Sequence, residues 1–335
     1  MFHSKRTLQA IAAGFAIPLI FASSASAMTL KGDAQEYNLF LFEDWEQKGG
    51  DVEGRAAVGG NATLQNVGVG DRLPDSDGSE NHLVVGGDLN YNGGQVFGGN
   101  AVVGGSASGV NYDCGGCSTE SGEPIDFEAA EAEYRELSDY LYSLEETGSQ
   151  NVVSGSNQLQ LTGSGTGTHV FNVDLNNIKE IFLDASSLSD LVVINVQNSG
   201  AYASQITSMF HTEANSDSSK WENVIWNFNQ ATELDLRNLS WRGTILAPDA
   251  HLKLQSGNIE GQTIAKSASL NNWSGEFHNY SFNGKLPDIE HTPVVEVTPP
   301  IPVEVPEPSV LLGLGGVGLM ALKRARQLQR QEAAA

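Results

Sequence analysis

Three short pieces of this chain line up with one another: AAVGGNATL at 56–64, LVVGGDLNY at 83–91 and AVVGGSASG at 101–109. Val58, Val85 and Val103 each stand before a glycine pair, at spacings of 27 and 18 residues. A short β-branched run favours a strand, and a glycine pair ends it in a tight turn. One unit of this length cannot bury its own apolar face, so such units stack on their neighbours. The pattern predicts a mainly β chain built as a β-solenoid, with loops inserted between unevenly spaced rungs. A β-sandwich of repeated hairpins is the alternative.

The rhythm returns in RGTILAPDAHLKL (242–254) and EGQTIAKSASL (260–270), where Ile245 and Ile264 lie 19 residues apart. HVFNVDL (169–175), EIFLDAS (180–186), LVVINVQ (191–197) and NVIWNF (223–228) read as further strands, with the many Asn and Ser residues at turns. One segment differs. In PIDFEAAEAEYRELSDYLYSLEE (124–146), Phe127, Ala130, Tyr134, Leu137, Leu141 and Leu144 recur at steps of three and four. This spacing predicts a long amphipathic helix, capped by Asp126 and packed alongside the solenoid, with its Glu-rich face in water.

The ends carry addresses rather than fold. MFHSKR, the apolar run LQAIAAGFAIPLIF and the small residues Ala25 and Ala27 form the three regions of a secretory signal peptide, predicted to span 1–27. The chain holds 18 Lys+Arg against 41 Asp+Glu, a formal charge of -23, which repels nucleic acid and anionic lipid and suits a soluble exported protein. In an oxidising compartment Cys114 and Cys117, in DCGGCS, are expected to form a local disulfide; free thiols are the alternative. Residues 285–304 lie in the stretch that holds most of the chain's 11 prolines and read as a semi-rigid stalk.

Beyond the stalk, Pro306, Glu307 and Pro308 precede an apolar run from about Ser309 to Leu322, short for a full membrane span, and then Lys323, Arg324 and Arg326. This order resembles the PEP-CTERM sorting signal, here over 305–335. The resemblance implies transient insertion of a short transmembrane helix in the inner membrane, an exosortase partner, and delivery to the cell surface or extracellular polysaccharide matrix of a Gram-negative bacterium. A plain C-terminal anchor is the bland reading. YNLFLFEDWEQKGGDVEGRAAVGGNATL, VIWNFNQATEL, RGTILAPDAHLKLQSGNIEGQTIAKS and GEFHNYSFNG together resemble the choice-of-anchor A family of bacterial surface proteins, over a domain placed at 28–284. That resemblance implies an adhesin-like right-handed β-helix of the ice-binding-adhesin kind, displayed at the surface. The implied ligand is a polysaccharide or a surface or matrix protein.

No reaction motif emerges. The histidines form neither HxH nor HExxH, and there is no nucleophile elbow or P-loop, so the chain reads as non-enzymatic and without a cofactor. Asp71, Asp75, Asp77 and Glu80 make an oxygen-rich loop that could hold calcium, though the spacing is not that of an EF-hand and a solvated turn explains it as well. His278, between Phe277 and Asn279, reads as structural. Trp221, Trp226, Trp241 and Trp273 serve either sugar stacking or the core. Thr162, Thr166 and Thr168 make one run, where a flat array is what ice binding requires. A surface adhesin, a matrix component without a saturable ligand, and a carbohydrate-active enzyme with two facing carboxylates are the three function classes in contention.

Overall fold

The computed structural model describes residues 33–163, 166–184, 191–211, 221–271 and 275–286. The predicted signal peptide, Trp273, almost all of the predicted stalk and the predicted sorting signal lie outside them. The chain divides into Met1–Ile289 and Glu290–Ala335, and all described residues belong to the first unit.

The strands wind into coils with three parallel faces. On the first, face A, the ladder runs from Thr119–Ser121 through Asn100–Val103, Asn81–Val85 and Ala56–Val58 to Leu39–Leu41. There it passes to Thr263–Leu270, the partner of Leu39–Leu41 on its other side. It continues through Thr244–Gln255, Val224–Asn227 and Leu191–Val196 to Thr168–Val173. The chain therefore starts mid-solenoid, winds out to one end, crosses to the other end and winds back to meet its own beginning.

The helix Phe127–Ser143 makes that crossing. Asp126 caps it, its carboxylate accepting from the Ala129 N–H at 3.0 Å. Seventeen residues span about 25 Å, roughly five strand spacings. Its ends lie inside the predicted 124–146. Ala130, Tyr134, Leu137 and Leu141 pack on the outward residues of face A, among them Phe40, Val84, Val193, Ile225, Leu246 and Ile264. Leu286, just beyond the predicted boundary at 284, is buried in the same layer. Apart from the exposed end strand Thr119–Ser121, face A strands are covered on both sides, so they read as nearly continuous apolar runs.

Face B, and face C, whose ladder includes Trp241–Arg242, Gly257–Glu260, Gly275–His278 and Asp51–Val52, are covered on the inside only among the described residues, and their strands alternate. Three coils pass from face A to face B at a glycine pair, Gly59–Gly60, Gly86–Gly87 and Gly104–Gly105. There the backbones of successive coils touch: a Cβ on Gly86 would run into the Gly59 carbonyl, and one on Gly104 into the Gly86 carbonyl. The residue after each pair continues the stack. Asp44 Oδ1 accepts from Asn61 N (2.7 Å), Asn61 Oδ1 from Asp88 N (2.9 Å), and Asp88 Oδ1 from Ser106 N (2.7 Å). These bonds to Ser106 hold the Asp88 carboxyl below its ordinary pKa.

Inside, Trp45, Trp221, Trp226 and Trp241 are all buried, as is Tyr91. Those tryptophans serve the core, which removes them as sugar-stacking platforms. At the far end, Thr147 and Gly148 donate to the Val170 carbonyl, both at 3.0 Å, and Ser149–Val153 adds an antiparallel edge to Gln158–Thr162. That pair, with Glu180–Asp184 and Ser208–His211, forms a separate four-stranded sheet. Arg242 Nη1 reaches it from the main sheet through the Met209 carbonyl at 3.2 Å.

Candidate binding surface

Face B is long, and the helix packs on face A instead. Its strands are Gly200–Ala203, Ala231–Arg237, the second parts of Thr244–Gln255 and Thr263–Leu270, then Trp45–Lys48, Ala62–Val69, Leu89–Val96 and Ala107–Ser108. Their register builds one outward column: Ala203, Asp235, Lys253, Ser269, Glu46, Thr63, Asn90 and Ser108. At ordinary strand spacing it is about 34 Å long. The inward neighbours are apolar, for example Ala62 and Leu64 around Thr63, which fixes which way each polar side chain points.

The charges on this face are largely paired. Lys253 Nζ lies 2.6 Å from Glu233 Oε2, Gln255 donates to Asp235 Oδ1 at 3.1 Å, and Arg237 pairs with Asp235. His251 sits between two serines of the next coil, with Nδ1 2.8 Å from Ser267 Oγ and Nε2 2.9 Å from Ser269 Oγ. Burial, then the Lys253 charge, holds its pKa below the ordinary value, so the ring is neutral at pH 7 and offers one donor and one acceptor. A chain of high negative charge thus presents a face of balanced charge, rich in hydroxyls and amides. The central column holds one threonine, and Thr162, Thr166 and Thr168 do not join it.

Other sequence-predicted residues have different places. Asp71, Asp75, Asp77 and Glu80 do not converge. Asp75 Oδ1 accepts from Asp77 N (2.8 Å), Asp77 Oδ1 from Gly116 N (2.9 Å), Glu80 pairs with Arg55, and Asp71 lies 3.7 Å from Arg72. Desolvation, then the nearby Asp51 and Glu53, raises the Asp71 pKa. Among the described residues no three His, Cys, Asp or Glu side chains gather to hold a metal ion. The loop instead braces the disulfide Cys114–Cys117, whose Cα atoms are 5.4 Å apart. His278 joins a charge cluster on face C, with Nδ1 3.1 Å from Glu260 and Nε2 3.2 Å from Glu276.

Sequence reading missed the face B column, yet it has a signal. Thr63, Asn90 and Ser108 each fall five residues after Val58, Val85 and Val103. A polar residue at one fixed offset in every repeat is a column on one face.

No curated protein matches this chain. A solved structure described as the crystal structure of an ice binding protein from an Antarctic Biological Consortium is similar over 78% of this chain and 95% of that one, with 13% identity and a TM-score of 0.36. A family model described as "Putative Ice-binding-like adhesive domain" matches residues 30–279, and by this match the chain belongs to that ice-binding-like adhesive domain family.

Proposed function

We propose that this protein is an exported adhesin-like module that binds a polysaccharide, or a surface or matrix protein, through face B. The observation that carries the reading is the polar column from Ala203 to Ser108, in which paired charges stand beside the hydroxyls of Ser269, Thr63 and Ser108 and the amide of Asn90. A hydroxyl-rich polymer can exchange its water hydrogen bonds for such groups along many residues without a deep pocket. Membership of an adhesive-domain family supports the same reading. The sorting-signal resemblance at 305–335 adds an exosortase partner and a cell-surface or extracellular-matrix destination. The reading needs no calcium: the Asp71–Glu80 carboxylates take separate contacts. The mixed column, with a lone Thr63, favours adhesion over ice binding.

The test is a binding screen of the purified protein against exopolysaccharides and extracellular matrix proteins, with calcium and with chelator. Saturable binding is expected to one class, unchanged by chelator. Thr63→Arg, in the middle of the column, should weaken it about tenfold or more. Asn151→Ala, on the exposed edge strand, should leave it unchanged. If no class binds saturably, the adhesin reading gives way to a structural component of the matrix.

A further inference from the structure

Face B ends abruptly. After Thr168–Val173 the chain turns through 174–179 directly to Glu180–Asp184 on the third face, without laying down a face B strand. Among the described residues Gly200–Ala203 is therefore the last strand of face B, paired on one side with Ala231–Arg237. Gly200 N and Ser204 N donate to that neighbour, each at 2.9 Å. Strand alternation turns the N–H and C=O groups of Ala201 and Ala203 to the open side.

A cavity of about 300 Å³ lies at this edge, lined by Asp174, Asn176, Gln197, Asn198, Ser199 and Tyr202 beside the two alanines. Its frame is fixed. Asp174 Oδ1 accepts from Asn176 N (2.8 Å) and Asn198 Nδ2 (3.0 Å). Asn198 Oδ1 accepts from Leu175 N (2.9 Å), and the Tyr142 hydroxyl of the helix donates to Gln197 Oε1 (2.8 Å). Three polar groups of exposed residues make no hydrogen bond to the described residues and are open to a ligand or to solvent: the second Asp174 oxygen, the Gln197 amide nitrogen and the Ser199 hydroxyl. The buried Tyr202 hydroxyl lies by Ser204 without completing a hydrogen bond of ordinary geometry. A small concavity with converging polar groups and little apolar wall suits a ligand that is itself a ring of hydroxyls.

We propose that this cavity is a terminal subsite that holds one neutral sugar unit. The inference rests on the polysaccharide reading above and names where a unit of the polymer is gripped. The free Asp174 oxygen accepts hydroxyl protons and repels a uronate, so the site selects uncharged sugars. A peptide strand added to the Gly200–Ala203 edge is the competing occupant, but the cavity lacks the apolar pockets that such a strand uses for its side chains.

The experiment is saturation-transfer NMR on the full chain with methyl glucoside, methyl galactoside, methyl mannoside and methyl glucuronide as probes. At least one neutral glycoside should bind at millimolar strength, and the glucuronide about tenfold or more weaker. Ser199→Trp adds a ring to an exposed position in the cavity and should abolish the signal without unfolding the chain. Asp174→Asn should narrow the gap between glucoside and glucuronide. Absence of binding by every neutral glycoside, or binding that survives Ser199→Trp, overturns the subsite. If the intact polysaccharide still binds in either case, the adhesin reading stands without it; if nothing binds, both fail.

Discussion

Asn227 donates its Nδ2 proton to Asn195 Oδ1 at 2.9 Å, one strand along the same column of face A. Asn195 donates in turn to Asn172 Oδ1 at 3.1 Å. The column also holds the helix. Asn195 Nδ2 reaches the Leu141 carbonyl and Asn227 Nδ2 the Ser138 carbonyl, both at 2.8 Å, while Ser138 Oγ donates to Asn227 Oδ1 at 2.6 Å. Both asparagines and Ser138 are fully buried. Amides in an apolar layer are tolerated because each one is satisfied.

Asn195→Ala should therefore be costly. It removes three hydrogen bonds, to the Leu141 carbonyl, to Asn172 Oδ1 and from Asn227 Nδ2; the carbonyl keeps Leu144 N–H and Asn227 Nδ2 keeps the Ser138 carbonyl, so each loss costs about 1 kcal/mol. Urea unfolding should show a loss of about 3 kcal/mol. A loss under about 1 kcal/mol would mean that the column does not anchor the helix.

Gly86→Ala tests the glycine corner. The new methyl meets the Gly59 carbonyl, backbone against backbone, where neither can yield without opening the coil. A loss of about 3 kcal/mol or more is expected, seen as a lower urea midpoint or as failure to fold. Gly122→Ala is the control. Its Cβ would sit 3.5 Å from the Val102 side chain, an ordinary contact, and should shift stability by less than about 0.5 kcal/mol.

The glycine corners were legible in sequence because one local cause, close backbone approach, recurs at every Val-Gly-Gly. Closure of the solenoid was not. Leu39–Leu41 pairs with residues 263–265, and no local pattern near either reveals a partner so distant. Asn38 and Gln262, which stitch that seam, look like turn residues. Yet Asn38 Nδ2 reaches the Gly261 and His278 carbonyls, and Gln262 Nε2 reaches the Gln35 and Tyr37 carbonyls. Asn172, Asn195 and Asn227 lie inside runs that read as strands, yet nothing local marks them as a column that holds the helix. Asparagine is rare in strands, and its role here exists only once the helix lies over it. The acidic loop leaves a cation and a solvated turn both open in the sequence. Carboxylates close in sequence suggested a shared cation, while the fold gives each a different partner. The terminal cavity had no signal, since it comes from a missing strand.

Reducing Cys114–Cys117 should cost little. The loop it closes is so short that chain entropy allows at most about 2 kcal/mol. The end coil is also tied by Ser118 N to Asn100 Oδ1 at 2.8 Å and Gly98 N to Asp113 Oδ1 at 2.7 Å. Thermal unfolding with and without reductant should differ by a few degrees, and hydrogen exchange should rise around 113–118 alone. Global unfolding on reduction would show that the disulfide holds the end of the solenoid.

His278 gives the fold a pH dependence of defined sign. The hydrogen bond to Glu260, the Glu260 charge, Glu276 and Glu53 together outweigh burial and raise its pKa from 6.5 to about 9. Glu53 also faces Arg72 at 3.4 Å, and its other oxygen accepts from Asn279 N at 2.9 Å. A folded pKa above the unfolded one means that the folded state holds the proton more tightly. The resulting stability is fully present below pH 6.5 and is lost as pH rises through about 9. The contribution is on the order of 2 kcal/mol, because the cluster keeps some solvent access. Urea midpoints measured from pH 6 to pH 9.5 should fall across that window in the native chain. His278→Gln should be less stable at pH 6 and nearly flat across the same range. A native profile as flat as the variant's would show that the imidazolium is not what binds Gly275–His278 to Gly257–Glu260 and to the first coil.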